Sequence, residues 1–191
     1  MKKVLIVTAH PSSKGFTHRI ANAFKGGAIS KGHEVEILDL YKTEHQIPFL
    51  NFEEKKDMAN LSPTVLALQA KIAVVDELVF VHPLWWLGPP AILKNFLDNV
   101  LMPHFAYKYT PEGKRQGLLK GKNGRVFITC DGPMYLYLCM GLPFISTWAF
   151  AVLYFCGLYP KTFRVFDRSF KKTEEDRLAF LDKVKKIALS I

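Results

Sequence analysis

The stretch His10-Pro11-Ser12-Ser13-Lys14-Gly15-Phe16-Thr17 carries residue types that could do chemistry together. It separates the apolar run Val4-Leu5-Ile6-Val7-Thr8 from a helical pattern. A loop entering a helix offers free N–H groups and the positive end of the helix dipole to an anion. The hydroxyls of Ser12, Ser13 and Thr17 add donors, Lys14 adds charge, and Gly15 lets a ligand approach the main chain. The spacing is neither a dinucleotide G-x-G-x-x-G nor a Walker loop, and an ordinary helix cap uses the same residues.

A second stretch, His82-Pro83-Leu84-Trp85-Trp86-Leu87-Gly88-Pro89-Pro90, follows the apolar run Leu78-Val79-Phe80-Val81. It places two adjacent tryptophans on a loop at the carboxyl end of a strand, where ligands of open α/β sheets bind. Such a pair needs something flat and apolar to cover: a ring system or a partner subunit. The third stretch, Thr129-Cys130-Asp131-Gly132, closes the next strand, and its turn could present backbone donors to a ligand's polar edge. Tyr135 and Tyr137 follow it, and a phenol donates a hydrogen bond without changing its charge. A phosphate cradle, an aromatic wall and a polar turn on one rim describe a site for a flavin nucleotide.

The elements that must position these loops alternate between strand and helix. Apolar runs predict strands at 4–8, 35–40, 78–81, 126–129 and 163–166. Helices are expected at about 17–30 with Gly32 beyond the end, at 63–75 with Ser62 as cap, and at 90–101 with its prolines in the first turn. An apolar helix is expected within 144–156, and a last helix is capped by Thr173. The segment 41–60 is polar and irregular, and 102–124 is a long connection. This alternation requires a parallel sheet covered on both faces, within one domain over 1–191. Right-handed crossovers leave few topologies, and the expected one is a flavodoxin-like, three-layer α/β sandwich with strand order 2-1-3-4-5.

The formal net charge is +9, from 26 Lys and Arg against 17 Asp and Glu. The basic residues are spread along the chain and none of the nucleic-acid motifs is met, so no nucleic-acid partner is expected. The cluster Lys114, Arg115, Lys120, Lys122 and Arg125 reads as a solvated connection, or as a patch for the phosphates of NADPH. Three cysteines without a C-x-x-C pair, and an N-terminus that runs straight into a strand, suit a reduced, cytoplasmic protein. No charged side chain falls between Gly132 and Pro160, a length that could span a bilayer, but glycines and prolines divide it. A buried helix explains it better. The histidines show no metal-ligand spacing, and no metal is expected.

The chain resembles the flavodoxin-like NAD(P)H:quinone oxidoreductases, whose branches include bacterial drug-activity modulators, general stress protein 14 and the ancillary flavoproteins of potassium-efflux systems. The resemblance rests on Ala9-His10-Pro11 with Phe16-Thr17, on Pro83 to Lys94 continuing to Phe105-Ala106-Tyr107, and on Phe155-Cys156-Gly157. It implies that His10, Ser12, Gly15, Phe16 and Thr17 hold the flavin phosphate and ribityl chain. Pro83, Leu84, Trp85, Trp86 and Leu87 then lie along the ring, and Thr129, Cys130, Asp131 and Gly132 lie at its pyrimidine side. In a homodimer Tyr107 and Tyr109 would cover the neighbouring flavin. The implied reaction is ping-pong hydride transfer from NAD(P)H through flavin N5 to a quinone or similar flat acceptor. The implied cofactor is FMN, with FAD as the alternative.

Two departures stand out. Many members read T-T-G-G where this chain has Thr129-Cys130-Asp131-Gly132, and the histidine that follows their active-site tyrosine is missing between Tyr135 and Pro160. The tyrosine itself matches Tyr135, with Tyr137 second. A second role is as an ancillary subunit docked on a membrane transporter, which would place the protein at the inner face of the membrane. A flavodoxin-type electron carrier is a poorer match, because such carriers are acidic and this chain is basic.

Overall fold

The computed structural model describes residues 1–51 and 61–191. Five parallel strands form the central sheet: β1 (Lys3–Thr8), β2 (Glu34–Asp39), β3 (Glu77–Pro83), β6 (Asn123–Thr129) and β7 (Tyr159–Phe166). Their order, β2-β1-β3-β6-β7, is the expected 2-1-3-4-5 once an outlying hairpin is set aside. That hairpin, β4 (Tyr107–Tyr109) and β5 (Arg115–Gly117), is antiparallel and occupies the segment read as a long connection. Three-residue strands give too little alternation for a sequence pattern to register.

Side-chain alternation explains the layers. Val4, Ile6, Val79, Val81 and Phe127 pack on α1 (Phe16–Ile29) and α6 (Glu174–Ala188). Leu5, Val7, Leu78, Phe80, Val126 and Ile128 face α2 (Pro63–Ala73), α3 (Ala91–Val100) and the π-helical segment Thr147–Tyr154. Both faces are therefore buried, and the strands read as continuous apolar runs. The caps follow expectation. The Ser62 hydroxyl accepts from Val65 N–H, and Thr173 and Asp176 form a reciprocal capping box. Pro90 is the N-cap of α3, so the two prolines precede the helix instead of opening it.

The uncharged stretch divides where its glycines and prolines predict: a short α4 (Met134–Cys139) comes first, and the helix expected within 144–156 runs unbroken from α5 (Pro143–Ser146) through the π-helical segment to Cys156. Gly141 and Leu142, both at positive φ, separate α4 from α5. Among the described residues no helix is long and apolar enough to cross a membrane. Part of the irregular segment forms a 3₁₀ turn at Thr43–His45, and 52–60 lie outside the described residues.

The basic cluster is only partly a solvated connection. Arg125 is buried, donating to Glu77 at 2.9 Å and to Thr162 at 2.8 Å. Lys122 donates to the carbonyls of Ala73, the last residue of α2, and Val75 just beyond it. Arg115 donates to Tyr154 and Phe155 carbonyls and lies over both rings. Burial alone would raise the Glu77 carboxyl, but hydrogen bonds from Lys2 and Asn123, with the Arg125 guanidinium, bring it below the usual carboxylate value. This ionic cluster sits at the amino ends of the strands, at the opposite edge from the loops that matter below.

Candidate functional site

The carboxyl ends of β1, β3 and β6 lie side by side and bring the three predicted loops onto one rim. Leu84 N–H donates to Thr129 carbonyl at 2.7 Å, and Ala9 N–H to Val81 carbonyl at 3.2 Å. The Thr17 and Thr129 hydroxyls are 3.5 Å apart across 112 positions of sequence. Between the loops lies an open cleft of about 300 Å³. His10, Phe16, Thr17, Pro83, Leu84, Trp85, Thr129, Cys130 and Asp131 line it.

The first loop is held compactly around its own backbone. Gly15 N–H donates to Ser12 carbonyl at 3.0 Å, and His10 Nδ1 lies 3.1 Å from both the N–H and the carbonyl of Ser12. A side chain at position 15 would place its Cβ 2.7 Å from the His10 ring, so glycine is required there by contact. Gly15 is also the N-cap of α1 and supplies no side-chain acceptor, and the first turn contains no acidic residue. Phe16 and Thr17 N–H accordingly have no partner among the described residues. A helix start with bare donors and no carboxylate suits an anionic ligand group. Ser12 is exposed and lies outside the cleft lining.

The second loop divides the predicted aromatic wall. Trp85 and Gly88 exchange backbone hydrogen bonds at 2.9 Å each, closing a tight turn with Trp86 and Leu87 at φ 51° and 61°. Trp85 faces the cleft, Trp86 is fully solvent-exposed, and Leu87 lines a separate groove. Behind this loop His82 is completely buried against Trp148, with ring centroids 5.3 Å apart. Its Nδ1 is 2.8 Å from Pro83 carbonyl, its Nε2 has no partner, and burial pushes its pKa down to about 4.

In the third loop Cys130 Sγ lies 3.5 Å from Gly132 carbonyl. Burial, reinforced by the Asp167 carboxylate and less strongly by Asp131, pushes this thiol up to about 11, so it stays protonated. The Tyr137 hydroxyl rests on Gly132, where a Cβ would come within 2.2 Å of it. Burial raises the Tyr137 phenol as well. Neither Tyr137 nor Gly132 reaches the cleft surface, and Tyr135 is exposed on α4.

Three cleft residues were missed in the sequence: Ser169, Phe170 and Arg177. They follow β7, whose carboxyl end shares the rim, so the rule that singled out the other loops applied here too. Arg177 donates to Ser169 carbonyl at 2.6 Å, and its guanidinium lies 5.1 Å from the Phe16 ring centroid. The second groove, about 350 Å³, lies between Leu87, Tyr107, Phe144, Trp148 and Phe155 and is mostly apolar. Tyr107 thus stands apart from the cleft in a single copy, edge-on to Phe155. Among the described residues no group of three His, Cys, Asp or Glu side chains could hold a metal.

Fold and cleft together define a doubly wound α/β protein with an open cleft at the carboxyl ends of its strands. Residues 2–188 match the flavodoxin-like fold family. An uncharacterized NAD(P)H oxidoreductase of Haemophilus influenzae is 38% identical over 141 residues, covering 72% of this chain and 69% of that one. An FMN-dependent NADH:quinone oxidoreductase of Coprothermobacter proteolyticus is 34% identical over 177 residues, covering 88% and 84%. Rat NAD(P)H dehydrogenase (quinone) 1 is 30% identical over 181 residues, and 82% of this chain spans 65% of its length. The crystal structure of Smu.1420 from Streptococcus mutans superposes with a TM-score of 0.88 at 30% identity, covering 99% of this chain and all of that one. The chain belongs to the flavodoxin-like NAD(P)H:quinone oxidoreductase family.

Proposed function

We propose that the protein is an FMN-dependent NAD(P)H oxidoreductase that reduces quinones or similar flat acceptors in a ping-pong cycle. One observation carries this reading: a bare helix start, a flat apolar wall and a polar turn meet on a single cleft. The residues fit a flavin mononucleotide by their chemistry. The donors of Phe16 and Thr17, the Thr17 hydroxyl and the Arg177 guanidinium suit a phosphate, and Pro83, Leu84 and Trp85 suit the face of a ring. The Coprothermobacter relative supports FMN over FAD.

When bound, FMN supplies the two-electron carrier between donor and acceptor, a chemistry no side chain here provides. The chain's own work is placement. Thr17 and Thr129 tie the cradle to the turn, and the bond from Leu84 N–H to Thr129 carbonyl fixes the wall against it. The backbone of Cys130 and Asp131 presents the polar edge, with Gly132 and the Tyr137 packed on it bracing the turn from behind. The raised phenol of Tyr137 keeps its proton and so serves as a hydrogen-bond donor at neutral pH. Nicotinamide and acceptor occupy the open side of the cleft in turn.

We assign the second groove to a second copy of the chain. Trp86, Phe150 and Tyr154 are exposed apolar side chains beyond what a monomer of this size needs. A homodimer would bury them and bring Tyr107 to a shared surface. The protein is expected to work in the cytoplasm. Steady-state turnover with NADH and NADPH against a quinone, a nitroaromatic and an azo dye tests the function. Parallel double-reciprocal lines support the ping-pong cycle; intersecting lines rule it out, and no turnover with any pair rules out the activity.

A further inference from the structure

We infer that Asp131 sets the reduction potential of this site, holding it lower than the same cleft would give with a neutral residue at that position. The inference rests on the flavin reading above. Its basis is the distribution of charge around the cleft. Besides the protonated thiol of Cys130, the ionisable residues lining it are His10, Asp131 and Arg177, so Asp131 is the one carboxylate in that lining among the described residues. It has no hydrogen-bond or ion-pair partner among them. Its neighbour Asp167 contrasts with it: that carboxylate accepts from Met134 N–H and from Arg168 Nε, both at 3.1 Å. The cleft is therefore polarised. Arg177 and the bare start of α1 make one end positive, and Asp131 makes the turn at the end of β6 negative.

The charge at the turn reaches the interior. Cys130, next to Asp131, is raised first by burial, then by Asp167, with Asp131 adding to the same direction. A ring edge resting on this turn lies in that field.

The electron balance gives the sign. Hydride transfer moves two electrons and one proton from NAD(P)H, which leaves as the oxidised nicotinamide. The isoalloxazine that receives them gains one net negative charge. A carboxylate beside it disfavours that charged form and leaves the oxidised form nearly unaffected. Asp131 is exposed, so the repulsion is partly screened. The expected effect is a reduced-state affinity about tenfold weaker relative to the oxidised state, which is about 30 mV for a two-electron couple. The site thereby becomes a stronger reductant, at some cost in driving force from the nicotinamide.

The test is the midpoint potential of the FMN-loaded protein, measured anaerobically against a reference dye, for wild type and Asp131→Asn. Oxidised FMN affinity is measured in parallel by fluorescence quenching. The inference predicts a rise of about 30 mV in the variant, with oxidised affinity changed less than about twofold. An unchanged potential in a variant that still binds FMN overturns it. If the asparagine variant does not fold, Asp131→Ser is measured in its place, and an unchanged potential in a folded, FMN-binding serine variant overturns the inference. Wild type that takes up no FMN at all overturns the flavin reading instead, a distinct outcome.

Discussion

Gly15 and the His10 ring are in such close contact that a single methyl on the glycine would sit 2.7 Å from the imidazole. The glycine has an ordinary extended backbone, φ −65° and ψ 156°, so its requirement is one of space and not of conformation. Gly15→Ala must therefore displace His10 and open the cradle. FMN affinity should fall at least about fivefold while the fold persists, since overpacking costs about 1–3 kcal/mol. Fluorescence titration and a melting curve on the same preparation separate the two effects.

Thr17 is buried, and its hydroxyl has Thr129 as neighbour. Thr17→Val keeps the shape and removes the hydroxyl, leaving Thr129 short of a partner. Stability should fall by about 1 kcal/mol and FMN affinity by about tenfold. Urea denaturation checks the first and titration the second.

Arg177 lies over the Phe16 ring, at the end of the cleft where a phosphate fits. Arg177→Met preserves much of the apolar stem and removes the charge. FMN should bind about tenfold more weakly, with a shallower dependence of affinity on salt, while riboflavin affinity stays unchanged. An equal loss for riboflavin would mean that the arginine acts through packing.

Burial of His82 makes the protein acid-sensitive. Its folded pKa is lowered from 6.5 to about 4, so between those values the unfolded chain binds the proton that the folded chain refuses. Stability from this group is complete above about pH 6.5 and is lost as pH falls through about 4, a total of about 3 kcal/mol. Glu77, also lowered, adds acid sensitivity of the same sign. His82→Phe retains a ring against Trp148 and cannot be protonated. From about pH 7 to about pH 5 wild type should lose about 2 kcal/mol more than this variant in urea titrations.

The legible parts of the fold were those with long periodic signals. All five sheet strands and their order followed from apolar runs, and Ser62 and Thr173 announced their helices through cap chemistry. The short hairpin Tyr107–Tyr109 with Arg115–Gly117 was not legible, because contacts with Cys156 and Gly157 place it, and those are remote in sequence. The break at Gly141 was legible from its glycine and Pro143, but the π-helical winding of Thr147–Tyr154 was not, since exposed Phe150 and Tyr154 are as apolar as buried Trp148 and Leu153 and the stretch shows no period. At the site, the three loops were recognisable, but the orientation of neighbouring side chains was not. Trp85 and Trp86 look equivalent in sequence, and the turn closed by Trp85 and Gly88 sends one to the cleft and the other to solvent. Arg177 escaped notice because a charged residue on an amphipathic helix looks like any other surface cation.

Leu87, at the edge of the second groove, tests the dimer. Leu87→Asp puts an uncompensated charge into an apolar contact. Sedimentation should show a dimer for wild type and a shift to monomer for the variant, with FMN still bound to the cleft residues of each copy.

The central claim is that the rim formed by the ends of β1, β3 and β6 holds FMN and passes electrons from NAD(P)H. The direct measurement is the visible spectrum of purified protein mixed with FMN, desalted, and then given NADPH or NADH without oxygen. A yellow complex of one FMN per chain, bleached by the nicotinamide and restored by a benzoquinone, is the predicted result. A colourless protein after desalting, or a bound flavin that neither nicotinamide bleaches, would contradict it.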